Sequence, residues 1–168
     1  MRALFDTYGA MLGHAILVHT GYVLICVTVG FFLGLLLGVA LSRTPRISGI
    51  VLPVISVLQT IPGLVFIGVL FLWLGMVPMT VIIALSIYAM FPVLKNTFTG
   101  LLGVDAQYKE AAQGCGMSPA QQLLRVELPL AMPVIISGLR MAAIYTVFGR
   151  EIANNMIEVK GSWEQFTV

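Results

Sequence analysis

The stretch ISGIVLPVISVLQTIPGLVFIGVLFLWLGMVPMTVIIALSIYAMFPVL, residues 47–94, runs for 48 positions without an aspartate, glutamate, lysine or arginine. A membrane-spanning helix needs about 20 predominantly apolar residues, so this stretch has room for two such helices and a tight turn. The sequence GMVPM at 75–79 is an uncharged candidate for that turn. The stretch therefore predicts two spans joined by a short hairpin.

The rest of the chain is similarly apolar. A second uncharged run covers 36 residues, 7–42, and the 168 residues together are 59% hydrophobic and only 10% charged. Soluble domains are about 45–50% apolar and about 25% charged. We therefore predict an all-α, polytopic membrane helix bundle with lipid as its surroundings. The net charge of +2 gives no indication of a nucleic-acid partner.

Four spans are predicted within one transmembrane domain, 1–149. They cover about 21–41, 50–74, 80–102 and 130–148, with a loop at 103–129 and an atypical polar tail at 150–168. Arg43 and Arg46 follow the first span, and Lys109 and Arg125 lie in the long loop. Cytoplasmic loops carry an excess of lysine and arginine, so we expect both connections in the cytoplasm and the N-terminus outside.

Small residues recur at every fourth position of the first span, at Gly30, Gly34, Gly38 and then Ser42. Such a stripe lies on one helix face and allows a neighbouring backbone to approach closely. The neighbour is either another helix of this chain or a second subunit, and the sequence leaves both readings open.

The long loop contains KEAAQGCGMSPAQQLLRVELPLAMP, residues 109–133. Asp105 is a candidate N-cap of a short helix, and Gly114 and Gly116 are suited to ending it. Ser118, with Pro119 next and a glutamine three positions on, forms a capping box for a second short helix. Proline at 129 and 133 is expected to bend the chain as it re-enters the membrane.

The first short helix is predicted to present Glu110, Ala111 and Ala112. Small side chains let a partner's groove close on the helix backbone, and one carboxylate provides a charge for register, as in helix-in-groove recognition. The alternative is that any long loop needs capped helices, and the residues alone leave the two about equal.

This loop resembles that of permease subunits in binding-protein-dependent ABC transporters. The family pattern is E-A-A, three residues, G, nine residues, an aliphatic residue, one further residue and L-P. The matching residues here are Glu110, Ala111, Ala112, Gly116, Val126, Leu128 and Pro129. The sequences QTIP at 59–62 and FPVLKN at 91–96 are similar to the osmoprotectant branch, whose substrates are glycine betaine, choline and carnitine.

The resemblance implies an importer subunit in a bacterial plasma membrane. Its implied partners are a cytoplasmic ABC ATPase, a second permease copy or homologue, and an external substrate-binding protein. The seven loop residues would then form the element that couples to the ATPase. A permease for methionine or another amino acid, and a truncated non-transporting remnant, are the alternatives.

Polar or helix-breaking residues inside the spans are candidates for a translocation pathway. Gln59, Thr60 and Pro62 interrupt the second span, and Arg140 lies about ten residues into the fourth. In lipid such groups line a cavity or bond to neighbouring helices. Tyr88 adds an aromatic face of the kind that attracts quaternary ammonium groups. Further candidates for such a face are Trp73, Phe91 and Tyr145.

Enzyme chemistry has no signature here. The chain lacks the G-x-x-x-x-G-K-[S/T] phosphate loop, so ATP hydrolysis is assigned to a separate subunit, and His14 and His19 lack metal-ligand spacing. No cofactor or metal is expected. After about residue 148 the sequence departs from the small, apolar continuation of the resembled family. We expect a truncated or frame-shifted reading frame there, with natural divergence as the alternative.

Overall fold

The computed structural model describes residues 2–166, and the side-chain surroundings of residues 9, 11–63 and 65–158. Within that part of the chain all regular structure is helical. The helices are α1 (Arg2–Ser42), α2 (Pro45–Thr60), α3 (Gly63–Leu74), α4 (Pro78–Leu102), α5 (Ala106–Gly114), α6 (Pro119–Gln122) and α7 (Leu128–Phe166), with a π-helical turn at Leu123–Glu127 before α7. The predicted all-α class is confirmed.

Three described segments are long and apolar enough to cross a membrane. They are Met11–Ser42 in α1, Pro78–Leu102 (α4) and the continuous helical stretch Pro119–Glu158; α2 and α3 together provide a fourth if they form one broken span. The chain is therefore a multi-pass membrane protein.

Helix α4 is the centre of the bundle, and the glycine stripe of α1 packs against it. A Cβ atom built on Gly30 would lie 2.7 Å from the Cβ of Ala89, and one on Gly38 would lie 2.7 Å from the Cβ of Thr97. At Gly34 the nearest atom is a backbone one, the carbonyl oxygen of Met90, at 2.7 Å. The stripe thus serves close packing within this chain, which decides between the two readings of the sequence.

Helix α7 approaches the other side of α4 just as closely. A Cβ on Gly138 would lie 2.9 Å from the carbonyl oxygen of Pro92, and one on Gly100 would lie 3.3 Å from the Cβ of Ala131. Two glycines, one from each helix, therefore set the separation of α4 and α7. The close-packed unit is α1–α4–α7, and α2–α3 lies against it.

The second predicted span, 50–74, is broken in the structure. Helix α2 ends at Thr60, α3 begins at Gly63, and the two axes differ in direction by 97°. The break follows from Pro62, which lacks an N–H and disfavours the helical conformation at the residue before it. Ile61 accordingly adopts an extended backbone with φ −71° and ψ 123°.

The helices that contain the first and fourth predicted spans extend beyond the bounds predicted for those spans. Helix α1 begins at Arg2 rather than near residue 21, and α7 continues through residue 148 to Phe166 without a break. Ala153 is fully buried with Cys26 and Val81, and the Arg150 guanidinium donates to the side-chain Oδ1 of Asn154, one turn on, at 3.1 Å. These contacts continue the helix into the predicted tail. Residues 167 and 168 of that tail lie outside the described residues.

Prolines 129 and 133 do not bend the chain into separate helices. The π-helical turn at Leu123–Glu127 comes directly before Pro129, and there the Leu128 N–H donates to the carbonyl of Leu123, five residues back. A proline ring clashes with the carbonyl four residues earlier in a regular helix. One wider turn relieves that conflict and lets the helical path run on from α6 into α7.

Candidate functional site

The turn after α5 is built around Gly116. Its φ is +75°, in the left-handed region, and a Cβ added there would meet no atom within 4 Å. The N–H of Gly116 donates to the carbonyl of Gln113 at 2.9 Å, and the N–H of Met117 donates to that of Ala112 at 3.1 Å. This pair of bonds is a Schellman motif, in which glycine is favoured because its φ is positive. Glycine is therefore favoured at this position by the backbone conformation, and not by a lack of room for a side chain.

Ser118 starts the next helical segment as the sequence predicts. Its hydroxyl accepts from the Gln121 N–H at 3.4 Å, and the Gln121 side-chain carbonyl accepts from the Ser118 N–H at 3.0 Å. The capping box is therefore complete. Asp105 does precede α5, but its side chain makes no capping hydrogen bond, which differs from the prediction.

The three consecutive residues of the E-A-A sequence do not share one environment. Glu110 and Ala111 are exposed, whereas Ala112 is 4% exposed and faces the chain itself. The expectation that all three are presented to a partner is thus corrected for Ala112. One helical turn cannot point three successive side chains the same way, because each is rotated by about 100° from the last.

Two contacts fix this loop to the membrane helices. The Lys109 ammonium donates to the carbonyl of Leu101, in the last turn of α4, at 3.3 Å. Arg43, which follows α1, donates to a carboxylate oxygen of Glu127 at 2.7 Å. The Glu127 side chain is 2% exposed, while that of Arg43 is 47% exposed. The π-helical turn thus carries a buried carboxylate that is neutralised by the end of α1.

The remaining residues of the family pattern lie along the same path. Val126 and Leu128 are half-buried, and Leu128 packs on a cluster that contains Leu101 and Ala131. Pro129 is exposed in the first turn of α7. Val126 and Leu128 therefore connect the exposed turn at Gly116 to the core, whereas Pro129 remains at the surface.

A separate cavity of about 400 Å³ lies between α2, α4 and α7. Gln59 and Tyr88, two of the predicted pathway residues, line it together with Lys95, Asn96 and Tyr145. The ring centroids of Tyr88 and Tyr145 are 5.8 Å apart and the rings are inclined at 60°. Both tyrosines also line a smaller cavity of about 150 Å³ with Ile67, Leu85 and Phe148. The tyrosine pair therefore stands between two cavities.

The other three predicted pathway residues are not brought to this cavity. Thr60 is exposed and its hydroxyl donates to the carbonyl of Val57 at 2.6 Å, while Pro62 is the exposed residue at the break before α3. Arg140 is exposed on the face of α7 away from α4, and it makes no hydrogen bond or ion pair with the described residues. Gln59 and Tyr88 are thus the members that the fold brings together.

Sequence reasoning missed several residues of these two regions. Lys95 follows Tyr88 by seven positions, so the two share a helix face, and an ionisable residue inside a span is itself a functional signal. Arg43 and Glu127 are 84 positions apart and carry no pairing signal in the sequence. Within the described residues no group of three or more histidine, cysteine or acidic side chains could hold a metal ion.

Known proteins resemble this chain over most of its length. It is 37% identical over 142 residues to a choline transport system permease protein of Bacillus subtilis, covering 84% of this chain and 65% of the relative. A carnitine transport permease protein of Listeria monocytogenes is 37% identical over 146 residues, 84% of this chain and 67% of the relative. A glycine betaine/carnitine/choline permease protein of Bacillus subtilis is 41% identical over 114 residues, 68% and 50% respectively.

The chain spans about two thirds or less of the length of these curated relatives. The sequence profile that describes a "binding-protein-dependent transport system inner membrane component" matches residues 30–157. The match includes the glycine stripe, the broken α2–α3 pair, the loop between α4 and α7, and most of α7. The chain therefore belongs to the family of inner membrane components of binding-protein-dependent transport systems.

Proposed function

We propose that this chain is the membrane-spanning subunit of an ABC importer for small quaternary-amine osmoprotectants of the glycine betaine, choline and carnitine type. The relatives named above carry those substrates in their names, and they are permease proteins rather than enzymes. ATP hydrolysis belongs in this proposal to a separate cytoplasmic ATPase. A second permease copy or homologue and an external substrate-binding protein complete the importer, in a bacterial plasma membrane.

The observation that carries the proposal is the exposed end of α5. Glu110 and Ala111 are exposed, and Gly116 closes the helix with a turn that leaves no side chain over it. A small residue and a carboxylate beside a tight turn suit insertion into a groove of a partner. The buried Ala112 supports the same orientation, because it anchors the opposite side of α5 to the chain.

The proposed topology places this surface in the cytoplasm. Arg43, Arg46, Lys109 and Arg125 all belong to the end of the bundle where α1 ends, α2 begins and α5 lies. An excess of lysine and arginine favours the cytoplasmic side, so the N-terminus of α1 is assigned to the outside.

The two fixed contacts of the loop suit the transmission of movement. Displacement of α5 by ATPase closure would act on α4 through Lys109 and Leu101, and on α1 through Glu127 and Arg43. Because α1, α4 and α7 are packed at backbone distance, they would respond as one body. In the proposed cycle this body rocks against the second permease and alternates the access to the pathway.

The test is uptake of radiolabelled glycine betaine by cells that lack their own osmoprotectant importers. The chain is co-expressed with the ATPase, permease and binding-protein subunits of an osmoprotectant importer. We expect uptake that Glu110→Arg abolishes, because the variant reverses the charge at the docking surface. Glu158→Arg, the same change at an exposed residue near the far end of α7, is the control and should leave uptake unchanged. Equal uptake in the two variants would contradict the docking surface.

A further inference from the structure

The cavity between α2, α4 and α7 is lined by a charged ammonium group and by side-chain amides, and both kinds of group cost free energy when they are placed in a membrane. Lys95 brings an ammonium into the span Pro78–Leu102, and none of the described carboxylates lies within 4.0 Å of it. Asn96 and Gln59 bring amides, and the Asn96 amide donates to the carbonyl of Pro92 at 2.8 Å. A charged side chain inside a span marks a functional site, and its counter-charge is then sought in a partner or a ligand.

The opposite end of the cavity is aromatic. Tyr88 and Tyr145 meet there at 5.8 Å, and Phe66 and Phe91 lie behind Tyr88 with centroids 6.1 Å and 6.3 Å from its ring. Two rings inclined at 60° form a corner in which a cation meets more than one π-system. Aromatic faces attract quaternary ammonium groups, which have no N–H to satisfy; here Tyr88 is half-buried and Tyr145 is 38% exposed.

The two ends are separated along α4 by a distance that suits a small zwitterion. Seven residues of helix rise by about 10 Å between the Cα atoms of Tyr88 and Lys95. Side chains on a helix lean back towards its N-terminus, and because this applies to Tyr88 and Lys95 alike, the ring and the ammonium stay separated by about that rise. The cavity volume of about 400 Å³ lies within the usual range of ligand pockets, about 300–1,000 Å³.

We propose that this cavity is a substrate subsite for zwitterionic quaternary amines, with the Tyr88–Tyr145 corner for the ammonium and Lys95 for the carboxylate. The inference rests on the proposed function, which supplies the substrate class, and adds a place and an orientation within the chain. It also adds a preference: a zwitterion satisfies both ends, whereas choline, which lacks a carboxylate, satisfies only the aromatic end.

The tyrosine pair lies between the two cavities, which follow one another along α4. The larger cavity lies towards the C-terminal end of α4, with Lys95 and Asn96, and the smaller one lies towards its N-terminal end, with Leu85 and Phe148. A ligand held at the corner is therefore at the boundary between them. Separation of the two rings would join the cavities, and this boundary is where the substrate would pass.

The test is equilibrium binding of radiolabelled glycine betaine to the purified full chain in nanodiscs of neutral lipid. Two competitors separate the ends of the ligand. Choline keeps the quaternary ammonium without the carboxylate, and 3,3-dimethylbutanoate keeps the carboxylate with a neutral tert-butyl group in place of the ammonium. We expect each competitor to bind roughly tenfold more weakly than glycine betaine, since each loses one of the two interactions.

Two variants then test which residue binds which end of the ligand. Tyr145→Leu is expected to weaken glycine betaine and choline about tenfold and to leave 3,3-dimethylbutanoate unchanged. Lys95→Met is expected to weaken glycine betaine and 3,3-dimethylbutanoate about tenfold and to leave choline unchanged. Trp73→Leu and Arg46→Met are matched controls outside the cavity, because Trp73 is 87% exposed in α3 and Arg46 is exposed at the start of α2. Both controls should bind as the wild type does.

The outcomes are distinct from those of the proposed function. No binding to the wild type, or wild-type affinity in both cavity variants, would overturn the subsite even if the chain supports ATPase-dependent uptake. Loss of all three ligands in both variants would show damage without ligand-end specificity and would equally contradict the assignment. Absence of uptake with all partner subunits present, by contrast, counts against the proposed function itself.

Discussion

The loop between α4 and α7 is stabilised by different interactions from those of the membrane bundle. The loop from α5 to the π-helical turn depends on local hydrogen bonds, namely the capping box at Ser118 and the turn bonds around Gly116. The bundle depends on backbone contact between helices that are distant in sequence, at Gly30, Gly34 and Gly38. Local hydrogen bonds can leave one face of the loop free for a partner, whereas close packing buries a helix face within the chain itself.

This difference predicts that substitutions in the bundle, in the ion pair and in the loop will lower the free energy of unfolding by different amounts. The bundle should be the least tolerant, since the atoms that obstruct a methyl group added at Gly34 belong to the backbone. The ion pair that joins the two regions should be intermediate, and the loop should lose the least stability. Three substitution sets test this order.

Gly34→Ala is expected to have the largest effect. Its Cβ would lie 2.7 Å from the carbonyl oxygen of Met90 and 3.0 Å from the N of Leu94, so α1 and α4 must separate. Overpacking of this kind costs about 3 kcal/mol. Unfolding by sodium dodecyl sulfate, followed by circular dichroism in detergent, measures the loss of stability.

Gly21→Ala is the matched control in the same helix. No atom lies within 4 Å of a Cβ built at Gly21, and alanine favours a helix over glycine by up to about 1 kcal/mol. We expect it to be neutral or slightly stabilising. Equal losses in the two variants would show that the stripe does not set the helix separation.

Arg43→Met is expected to have the second largest effect, because it leaves the buried carboxylate of Glu127 without its cation. The Oε1 atom of Glu127 already has no hydrogen-bond partner among the described residues, so Arg43 supplies the compensation at Oε2. We expect a loss of about 2 kcal/mol in the same unfolding measurement.

The double substitution Arg43→Met with Glu127→Met should recover most of that loss, because a buried pair replaced by apolar residues is often close to neutral. Arg46→Met removes a cation three positions away that makes no ion pair with the described residues, and it should change little. An additive loss in the double variant would contradict the pairing.

Gly116→Ala should have the smallest effect on stability. The left-handed conformation costs a non-glycine residue about 1–2 kcal/mol, and no steric clash adds to it. Protection of the residue 116 and Met117 amides from hydrogen exchange should fall roughly fivefold. Gly114→Ala makes the same change two residues earlier, within α5, and should leave the protection unchanged or raise it. Equal protection in both variants would mean that the positive φ is not required.

The loop could be predicted from the sequence more fully than the packing of the bundle. The turn at Gly116 and the capping box at Ser118 were predicted because each involves only neighbouring residues. The all-α membrane class followed from the uncharged runs, and its assignment to the permease family followed from the long loop pattern. Asp105 shows that a local pattern is not sufficient. It is a suitable N-cap residue directly before α5, yet its side chain makes no capping hydrogen bond.

The membrane cavity could be predicted only in part. Gln59 was marked by its polarity, and Tyr88 and Tyr145 by their aromatic rings, but their meeting with one another and with Lys95 depends on how α2, α4 and α7 pack, which no local pattern encodes. Arg140 shows the converse. Its charge inside a span was an equally clear signal, yet it lies on the face of α7 away from α4. Composition identifies unusual residues, and only the fold decides which of them meet.

The second span illustrates the same point at the level of the helix. Its apolar content predicted one span over 50–74, with Pro62 as a helix breaker within it, and in the structure Pro62 divides it into α2 and α3 with a change of direction of 97°. The proline was visible in the sequence, but many proline-containing helices continue, as α4 does through Pro92 and α7 through Pro133. The extended conformation at Ile61 makes the difference here.

The central claim, that the exposed end of α5 docks an ATPase, is tested most directly at Cys115. This exposed thiol lies between Gly114 and Gly116 in the proposed surface, and the other cysteine of the chain, Cys26, is fully buried. The measurement is the rate at which a maleimide reagent modifies Cys115 in the purified chain, with and without the ATPase of an osmoprotectant importer. We expect the ATPase to slow modification at least tenfold in the wild type, and to have no such effect in Glu110→Arg. An equal rate with and without the ATPase, at concentrations where the importer is assembled, would contradict the account.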